Sequence, residues 1–466
     1  AQGIGPNFDL PARPCLVTVA NQSSLRPLLE QGRKNSIGHM TPWSPESWRT
    51  LPKHQMAEWE DKALADKVLA KLGKLPPLVQ SKECDRLKTL LAEAGRGERF
   101  IIQGGDCAER FLDCEGGRLE TQLKLILQMG MILEHVGGKP TSKICRIAGQ
   151  YGKPRSKPTE VVEGLGEIMS FKGDNINGFD PKDRKWDPER LLQGYFHSSA
   201  ALNFLRSYTA NGDHEPLKSI EVASLKESPE YSSYTADAQA IKSKAITGET
   251  VEFFTSHEAM QLDLEESLTR AVGSEYYNLS AHLVWIGDRT RQLDCAHIEY
   301  FRGIANPIGV KVGPSMKNEE LKDLVTVLNP RKEEGRLMLI TRYGAGKAEA
   351  MLPGHIEAVK ASGIPVTWQC DAVHGNGVVA SNKLKTRLFD AIMTEIAEVM
   401  AIHKKCGSVL GGIHLEVSGQ SVTEVVGGSM NLTEDMLLQN YETYCDPRLN
   451  YSQAIEAAFR AAKALR

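Results

Sequence analysis

Eight short apolar runs, each ending in polar residues or glycine, are the feature of this sequence that most restricts its fold. The runs cover residues 100–104, 143–148, 251–255, 282–286, 308–312, 337–341, 365–369 and 413–417. Segments with helical spacing follow most of them, at residues 120–135, 263–272, 318–328, 347–361 and 385–404. Eight alternating strands and helices close into a (β/α)8 barrel, with polar residues at the carboxyl ends of the strands. We therefore predict an α/β protein of the TIM-barrel class.

The remaining segments predict additions to this barrel. Residues 1–40 show little apolar periodicity, so we expect a poorly structured tail or arm. Residues 41–97 predict an N-terminal helical extension, with helices at 59–72 and 84–94, and residues 98–466 the barrel itself. The gap between the second and third runs is too long for one crossover. We expect inserted helices there, at about residues 180–250, within segments 188–208 and 234–246.

Composition and charge exclude several classes of protein. The chain of 466 residues is 41% hydrophobic and 25% charged, with a formal net charge of −3, which argues against a nucleic-acid partner. Nine cysteines without a CxxC pair indicate a reduced, intracellular protein. No apolar stretch approaches the roughly 18 residues that span a bilayer, so no membrane association is expected. We expect a cytoplasmic location, or a plastid if residues 1–40 are the remnant of a targeting segment.

Four cations belong to the ends of four different runs. Arg146 and Lys311 lie within the second and fifth runs, and Arg289 and Arg342 follow the fourth and sixth. Guanidinium groups bind phosphate and carboxylate through paired hydrogen bonds, and lysine adds a point charge. Brought together at one rim, the four would repel each other unless a multiply charged anion bound there. The alternative for each is an ion pair with a neighbouring carboxylate.

A second set of residues has the chemistry of metal ligands. Cys107 follows the first run, His374 the seventh, Glu416 lies in the eighth, and Asp446 is in a late loop. Thiolate, imidazole and carboxylates suit a divalent transition ion such as Mn, Fe, Co or Zn. Taken singly, each is more often a structural residue. Only the barrel interpretation places the four at one rim.

The loop at residues 149–156 contains Lys153, Arg155 and Ser156 around a proline. Two cations and a hydroxyl at fixed positions predict a site for a second phosphate. The alternative is an ordinary basic surface loop.

Nine motifs then follow one another in a fixed order. They lie at residues 103–109, 146–156, 173–178, 256–259, 285–292, 305–311, 370–376, 411–416 and 445–450. The first reads Gln103-Gly-Gly-Asp-Cys-Ala-Glu109, and the eighth reads Gly411-Gly-Ile-His-Leu-Glu416. Together they resemble the type II (plant-like) 3-deoxy-D-arabino-heptulosonate 7-phosphate (DAHP) synthases. The resemblance runs from about Trp43 to the C-terminus.

The resemblance implies an enzyme of the shikimate pathway, which supplies the aromatic amino acids. Its reaction condenses phosphoenolpyruvate with erythrose 4-phosphate, giving DAHP and inorganic phosphate. The implied cofactor is a divalent metal ion, Mn²⁺ in the first place, with Co²⁺ or another transition ion as the alternative. A homodimer or larger homo-oligomer and a chorismate mutase partner are also implied. Two interpretations compete with it: a related barrel that condenses phosphoenolpyruvate with another aldose phosphate, and a non-catalytic barrel that regulates a chorismate mutase.

The resemblance also assigns residues to roles. It implies a metal site of Cys107, His374, Glu416 and Asp446. It implies phosphoenolpyruvate-binding groups at Arg146, Asp288, Arg289, Lys311 and Arg342. The erythrose 4-phosphate site is implied at Lys153, Arg155 and Ser156. As catalytic residues we expect Lys311, Arg146, Asp288 and His374, with Lys311 in proton transfer because neighbouring arginines disfavour its ammonium form.

Two departures from the family pattern bear on function. Asp288 stands where the family usually has Glu, and its side chain is one methylene shorter. Residues 211–250 match the family poorly. Because inserted helices in this region help to form sites for aromatic amino acids in the family, feedback inhibition is an open question for this chain.

Overall fold

The computed structural model describes residues 42–210, 215–243 and 251–466. The predicted tail at residues 1–40 lies outside the described residues, as do residues 244–246 of the predicted helix 234–246. From Ser44 to Arg466 the described residues form one compact unit. None of the helices described is both long enough and apolar enough to cross a membrane.

Eight parallel strands close into a barrel, which confirms the predicted fold class. In chain order they are β1 (Phe100–Gly105), β2 (Thr141–Arg146), β3 (Phe254–Glu258), β4 (Leu283–Ile286), β5 (Ile308–Val312), β6 (Leu337–Thr341), β7 (Thr367–Asp371) and β8 (Leu410–Glu416). Neighbours in sequence are neighbours in the barrel, and β8 pairs with β1 to close it. Each predicted run overlaps one strand, with ends shifted by up to three residues.

The register brings three residues of the predicted site to one level. Gly105 of β1 pairs with Arg146 of β2 on one side and with Glu416 of β8 on the other. All three are the last residues of their strands. The carboxyl end of the barrel therefore carries an arginine and a carboxylate next to each other, separated only by a glycine.

Helices surround the barrel and fill the long gap after β2. The barrel helices are Gly116–Gly137, Leu262–Ser267, Ala296–Gly303, Asn318–Leu328, Leu352–Ser362, Phe389–Lys405 and Tyr451–Ala464. Between β2 and β3 lie Glu189–Ala210, Glu215–Lys218 and Tyr231–Ser243. The N-terminal extension contributes Lys62–Leu72 and Ser81–Gly95. Helices Ala296–Gly303 and Tyr451–Ala464 were not among those predicted from helical spacing.

Two segments predicted as helix are partly strand. The helix predicted at 263–272 ends at Ser267, and Thr269–Val272 pairs with Glu275–Asn278 as a hairpin. Gly273 in the turn has a φ of 63°, which a helix does not allow and which favours glycine. The segment predicted as helix at 385–404 begins with strand Lys385–Arg387, which pairs with Gly377–Val379. The helix itself starts at Phe389.

The helix Ser81–Gly95 closes the amino end of the barrel. Leu87, Leu90 and Leu91 are fully buried in one core cluster with interior residues of the strands. Thr367, the first residue of β7, donates a hydrogen bond to the carbonyl of Leu91 over 2.8 Å. Each buried leucine stabilises the fold by about 1.5–3 kcal/mol. Because the helix fills this end in the described part of the chain, a ligand would reach the barrel at its carboxyl end.

A methyl group added at Gly412 should separate β8 from β1. A Cβ atom there would lie 2.5 Å from the carbonyl oxygen of Ile101 and 2.7 Å from its Cβ. We expect Gly412→Ala to lower the free energy of unfolding by about 1–3 kcal/mol, the range for an overpacked core. Urea unfolding measures this. Gly117→Ala is the control, since a Cβ in that helix meets nothing within 4 Å; an equal loss in both variants would contradict the account.

Candidate active site

A cavity of about 660 Å³ opens at the carboxyl end of the barrel. Nine of the twelve predicted site residues line it: Lys153, Arg155, Ser156, Asp288, Arg289, Lys311, Arg342, His374 and Asp446. The other three are buried: Cys107 and Glu416 contact the lining residues Lys153 and His374, and Arg146 contacts Glu416. Residues drawn from seven strand ends and a late loop are thus brought together.

The lining is predominantly cationic. It contains eight lysines and arginines, which are Lys153, Arg155, Lys157, Arg289, Lys311, Arg342, Lys385 and Arg387. It contains four carboxylates, which are Glu160, Glu258, Asp288 and Asp446. An excess of fixed positive charge in a concave site favours small ligands with several negative charges. The cavity is therefore suited to phosphorylated and carboxylated substrates.

Glu416 is the most connected carboxylate of the site. Its Oε1 lies 3.2 Å from Arg146 Nη2 and 3.1 Å from His374 Nε2, and its Oε2 accepts a hydrogen bond from Arg387 Nη2 at 2.8 Å. The side chain is fully buried. Burial alone raises the pKa of Glu416, but His374, Arg387, Lys153 and Arg146 hold it well below its ordinary value. Glu416 is therefore a fixed negative charge at the base of the site.

Lys153 lies among the predicted metal ligands rather than with the other residues of its loop. Its Nζ is 2.8 Å from Cys107 Sγ, 2.9 Å from Asp446 Oδ2 and 3.9 Å from Glu416 Oε1. The donor atoms of these three ligands all lie within 4.8 Å of one another. Burial lowers the pKa of Lys153, but the surrounding anions raise it well above its ordinary value. The cluster thus holds a positive charge in its centre, here an ammonium group.

His374 completes a set of donors that fits a divalent ion. Its Nδ1 is hydrogen-bonded to Asp371 Oδ2 at 2.7 Å, and its Nε2 lies 3.1 Å from Glu416 Oε1, where it would meet a bound ion. Such a carboxylate contact is typical of histidines that bind metals. Glu416 Oε1 is buried without a well-formed hydrogen bond, so it keeps an oxygen lone pair for a ligand. Sulfur, nitrogen and carboxylate oxygens at one place match the preference of a transition ion.

The predicted anion-binding cations adjoin this cluster. Lys311 Nζ forms an ion pair with Asp371 and lies 3.4 Å from His414 Nε2. Arg342 donates to Asp288 Oδ2 and to the carbonyl of His374, both at 3.1 Å. Each of Arg146, Lys311 and Arg342 therefore forms an ion pair with a neighbouring carboxylate, which was the alternative to anion binding considered for these cations.

Arg289 differs from these three cations. Its Nη2 donates to Ser156 Oγ at 3.0 Å, and no ion pair of Arg289 is found in the described part of the chain. Arg155 and Ser156 line the same side of the cavity. A second group of anion-binding donors therefore lies beside the first.

Two cations of the site were missed by the sequence analysis. Arg387 contacts Glu416, and Lys385 Nζ lies 3.3 Å from Asp446 Oδ1. Both lie on the second strand of the hairpin after β7, within the segment 385–404 that is predicted as a helix from the sequence. Their basic pair, Lys385-Thr-Arg387, was the available signal, but a charge pair alone does not distinguish a helix surface from a site.

These observations define a (β/α)8-barrel protein in which a cationic cavity adjoins a set of side chains that could hold a metal ion. The model of the class-II DAHP synthetase family matches residues 43–462. The chain belongs to that family.

Curated relatives agree over nearly their whole length. A Neurospora crassa protein named phospho-2-dehydro-3-deoxyheptonate aldolase is 44% identical over 453 residues, which cover 90% of this chain and 94% of the relative. A Streptomyces coelicolor protein of the same name is 42% identical over 443 residues, with 91% and 98% covered. The AroG protein of Mycolicibacterium smegmatis, also so named, is 40% identical over 440 residues, with 89% and 93% covered.

Removing the Glu416 carboxylate should destabilise the protein strongly. Arg146 and Arg387 would then be buried without their anionic partner, and breaking a buried pair in this way costs about 3–5 kcal/mol. We expect Glu416→Ala to lower the free energy of urea unfolding by that amount in metal-free protein. Glu349→Ala, which breaks an exposed pair with Lys405, is the control and should leave the unfolding curve unchanged. Equal curves for the two variants would contradict this electrostatic account.

Proposed function

We propose that this protein condenses phosphoenolpyruvate with erythrose 4-phosphate to form DAHP and inorganic phosphate, the first step of the shikimate pathway. The observation that carries the proposal is the contact between a cationic cavity and the Cys107, His374, Glu416 and Asp446 donors. Membership of the class-II DAHP synthetase family and the printed names of three relatives support the same reaction. No observation on the described residues favours the non-catalytic alternative.

The metal site is proposed at the four donors named above, with Mn²⁺ as the ion and Co²⁺ as the alternative. A divalent ion bound there supplies Lewis-acid polarisation of an aldehyde oxygen. Lys153 leaves the centre of the cluster in that state, because two cations repel each other at such short distances. Its Nζ then becomes available to the aldose phosphate, together with Arg155 and Ser156.

Phosphoenolpyruvate binds in this proposal to Arg146, Arg289, Lys311 and Arg342, which neutralise its phosphate and carboxylate. Asp288 orients Arg342: although it is shorter than the usual Glu, its Oδ2 reaches Nη1 at 3.1 Å. With both substrates held, C3 of phosphoenolpyruvate attacks the aldehyde carbon. Water adds to C2, and the resulting hemiketal loses inorganic phosphate.

Lys311 is the proposed proton-transfer residue. Burial lowers the pKa of Lys311, and Arg146 lowers it further against the opposing effect of Asp371. A lysine with a reduced pKa exchanges a proton more readily near neutral pH. The homo-oligomer, the chorismate mutase partner and the cytoplasmic location stay predictions from the sequence.

The consumption of phosphoenolpyruvate in the presence of erythrose 4-phosphate tests the proposed reaction. We expect turnover in the purified protein, its loss after treatment with a chelator, and its return when Mn²⁺ or Co²⁺ is added. Release of inorganic phosphate should match the phosphoenolpyruvate consumed. If phosphoenolpyruvate is untouched with every metal, the proposed function is wrong.

Lys311→Met tests the proton-transfer role separately. The substitution keeps an unbranched side chain, one atom shorter, and removes the ammonium group, so we expect turnover to fall by about 100-fold or more. Mn²⁺ affinity, measured by titration, should stay close to that of the wild type because the four ligands are unchanged. Lys405→Met, at an exposed position, is the control. Wild-type turnover in Lys311→Met would exclude the role.

A further inference from the structure

Glu395 is a buried carboxylate that lies outside the cavity but is bonded to one of its loops. It belongs to the helix Phe389–Lys405 and is 0% exposed. Its Oε1 accepts hydrogen bonds from the backbone N–H groups of Tyr343 and Gly344, at 2.8 and 2.9 Å. These two residues directly follow Arg342. Glu395 thus holds the loop after β6 at the point where the arginine enters the cavity.

The second oxygen of Glu395 reaches the neighbouring loop. Its Oε2 accepts a hydrogen bond from Asn376 Nδ2 at 2.7 Å. The same Nδ2 donates to the carbonyl of Ala372, and Asn376 Oδ1 accepts from the N–H of Ala345, at 2.7 and 2.9 Å. Asn376 lies two residues after His374. One carboxylate therefore connects the loop that carries Arg342 with the loop that carries His374.

The two loops are also in direct backbone contact. Gly344 has a φ of 95°, and a Cβ added at Gly375 would lie 2.3 Å from the nitrogen of Gly344. At their tips, Arg342 Nη2 donates to the carbonyl of His374. The two loops are therefore packed closely against each other, with little free space between them.

Stability alone does not account for a carboxylate at this position. Glu395 forms no ion pair among the described residues, and burial raises its pKa to about 7. Burying an ionised group without a counter-charge has a free-energy cost, even when hydrogen bonds satisfy it. The bonds that it makes are all directed to the two loops. These contacts fit a role for Glu395 in fixing the positions of the loops after β6 and β7.

We propose that Glu395 is a positioning residue that sets Arg342 and His374 together, and so determines affinity for the anionic substrate and for the metal ion at once. This inference rests on the proposed function, because it uses the substrate-binding role of Arg342 and the metal-binding role of His374. A residue of a barrel helix would thus position two functional side chains that belong to different loops.

Binding measurements on whole protein test the proposal without reference to turnover. We would titrate Mn²⁺ into metal-free protein, and phosphoenolpyruvate into the Mn²⁺-loaded protein, by calorimetry. For Glu395→Ala we expect both affinities to fall by about tenfold or more, as is usual when a residue that orients a metal ligand is removed. Wild-type affinities for both ligands in this variant would overturn the proposal.

The variant Glu395→Gln distinguishes the contact of Glu395 with the Arg342 loop from its contact with the His374 loop. One amide oxygen still accepts from Tyr343 and Gly344, but the NH₂ group faces Nδ2 of Asn376, so two donors oppose each other. We expect Mn²⁺ affinity to fall more than phosphoenolpyruvate affinity. This unequal loss is not expected from general destabilisation, and an equal loss in both affinities would contradict the positioning role. The variant also keeps the test available if Glu395→Ala fails to fold.

Glu456→Ala is the matched control. Glu456 is a buried carboxylate on the helix Tyr451–Ala464, and it accepts a hydrogen bond from the N–H of Ser429 at 2.7 Å, in a loop that does not line the cavity. Its loss should lower the unfolding midpoint and leave both affinities unchanged. Reduced affinities in this variant, similar to those of Glu395→Ala, would overturn the proposal. If wild-type protein binds neither ligand, the proposed function fails first, and the inference fails with it.

Discussion

Glu416 carries a negative charge that is fully buried at the end of β8, and the site is arranged to neutralise it. Arg146 approaches from β2 across Gly105, Arg387 from the hairpin after β7, and His374 from the loop before that hairpin. Each of these groups is costly to bury alone, so each requires the others. Because these groups lie at the end of β2 and after β7, the charge of Glu416 can be satisfied only when those two strands are assembled with β8 and β1 in the barrel. Fold and site are therefore stabilised by the same contacts.

The cations around the cavity fall into two groups with different surroundings. Buried cations next to Glu416 are committed to ion pairs, whereas Arg289, Arg155 and Ser156 lie where the cavity is open. Lys153 stands between the two groups, since its Nζ is held by Cys107 and Asp446 while its loop continues to Arg155. A bound divalent ion and the ammonium group compete for the same anions. In the proposed chemistry, metal binding is therefore coupled to the position of Lys153 and of the loop that binds the aldose phosphate.

The sequence predicted the barrel because buried parallel strands are continuous apolar runs, and all eight were visible in this way. It failed where strands are short and lack a buried apolar face: Thr269–Val272 is a partly exposed hairpin strand, and the buried residues of Lys385–Arg387, Thr386 and Arg387, are polar. The twelve predicted site residues were chosen through strand ends and motif resemblance. The position of Lys153 Nζ and the contacts of Arg387 and Glu395 depend on side chains that are far apart in the sequence. No local pattern encodes them.

In the function proposed here, Cys107, His374, Glu416 and Asp446 form one metal site directly beside the anion-binding Lys311 and Arg342. Crystals grown with Mn²⁺ and phosphoenolpyruvate, with anomalous data collected at the manganese edge, test it most directly. The account predicts one strong peak bonded to the four side chains, Lys153 moved out of the cluster, and the substrate phosphate or carboxylate against Lys311 and Arg342. Manganese bound elsewhere, with Lys153 still between Cys107 and Asp446, would contradict it.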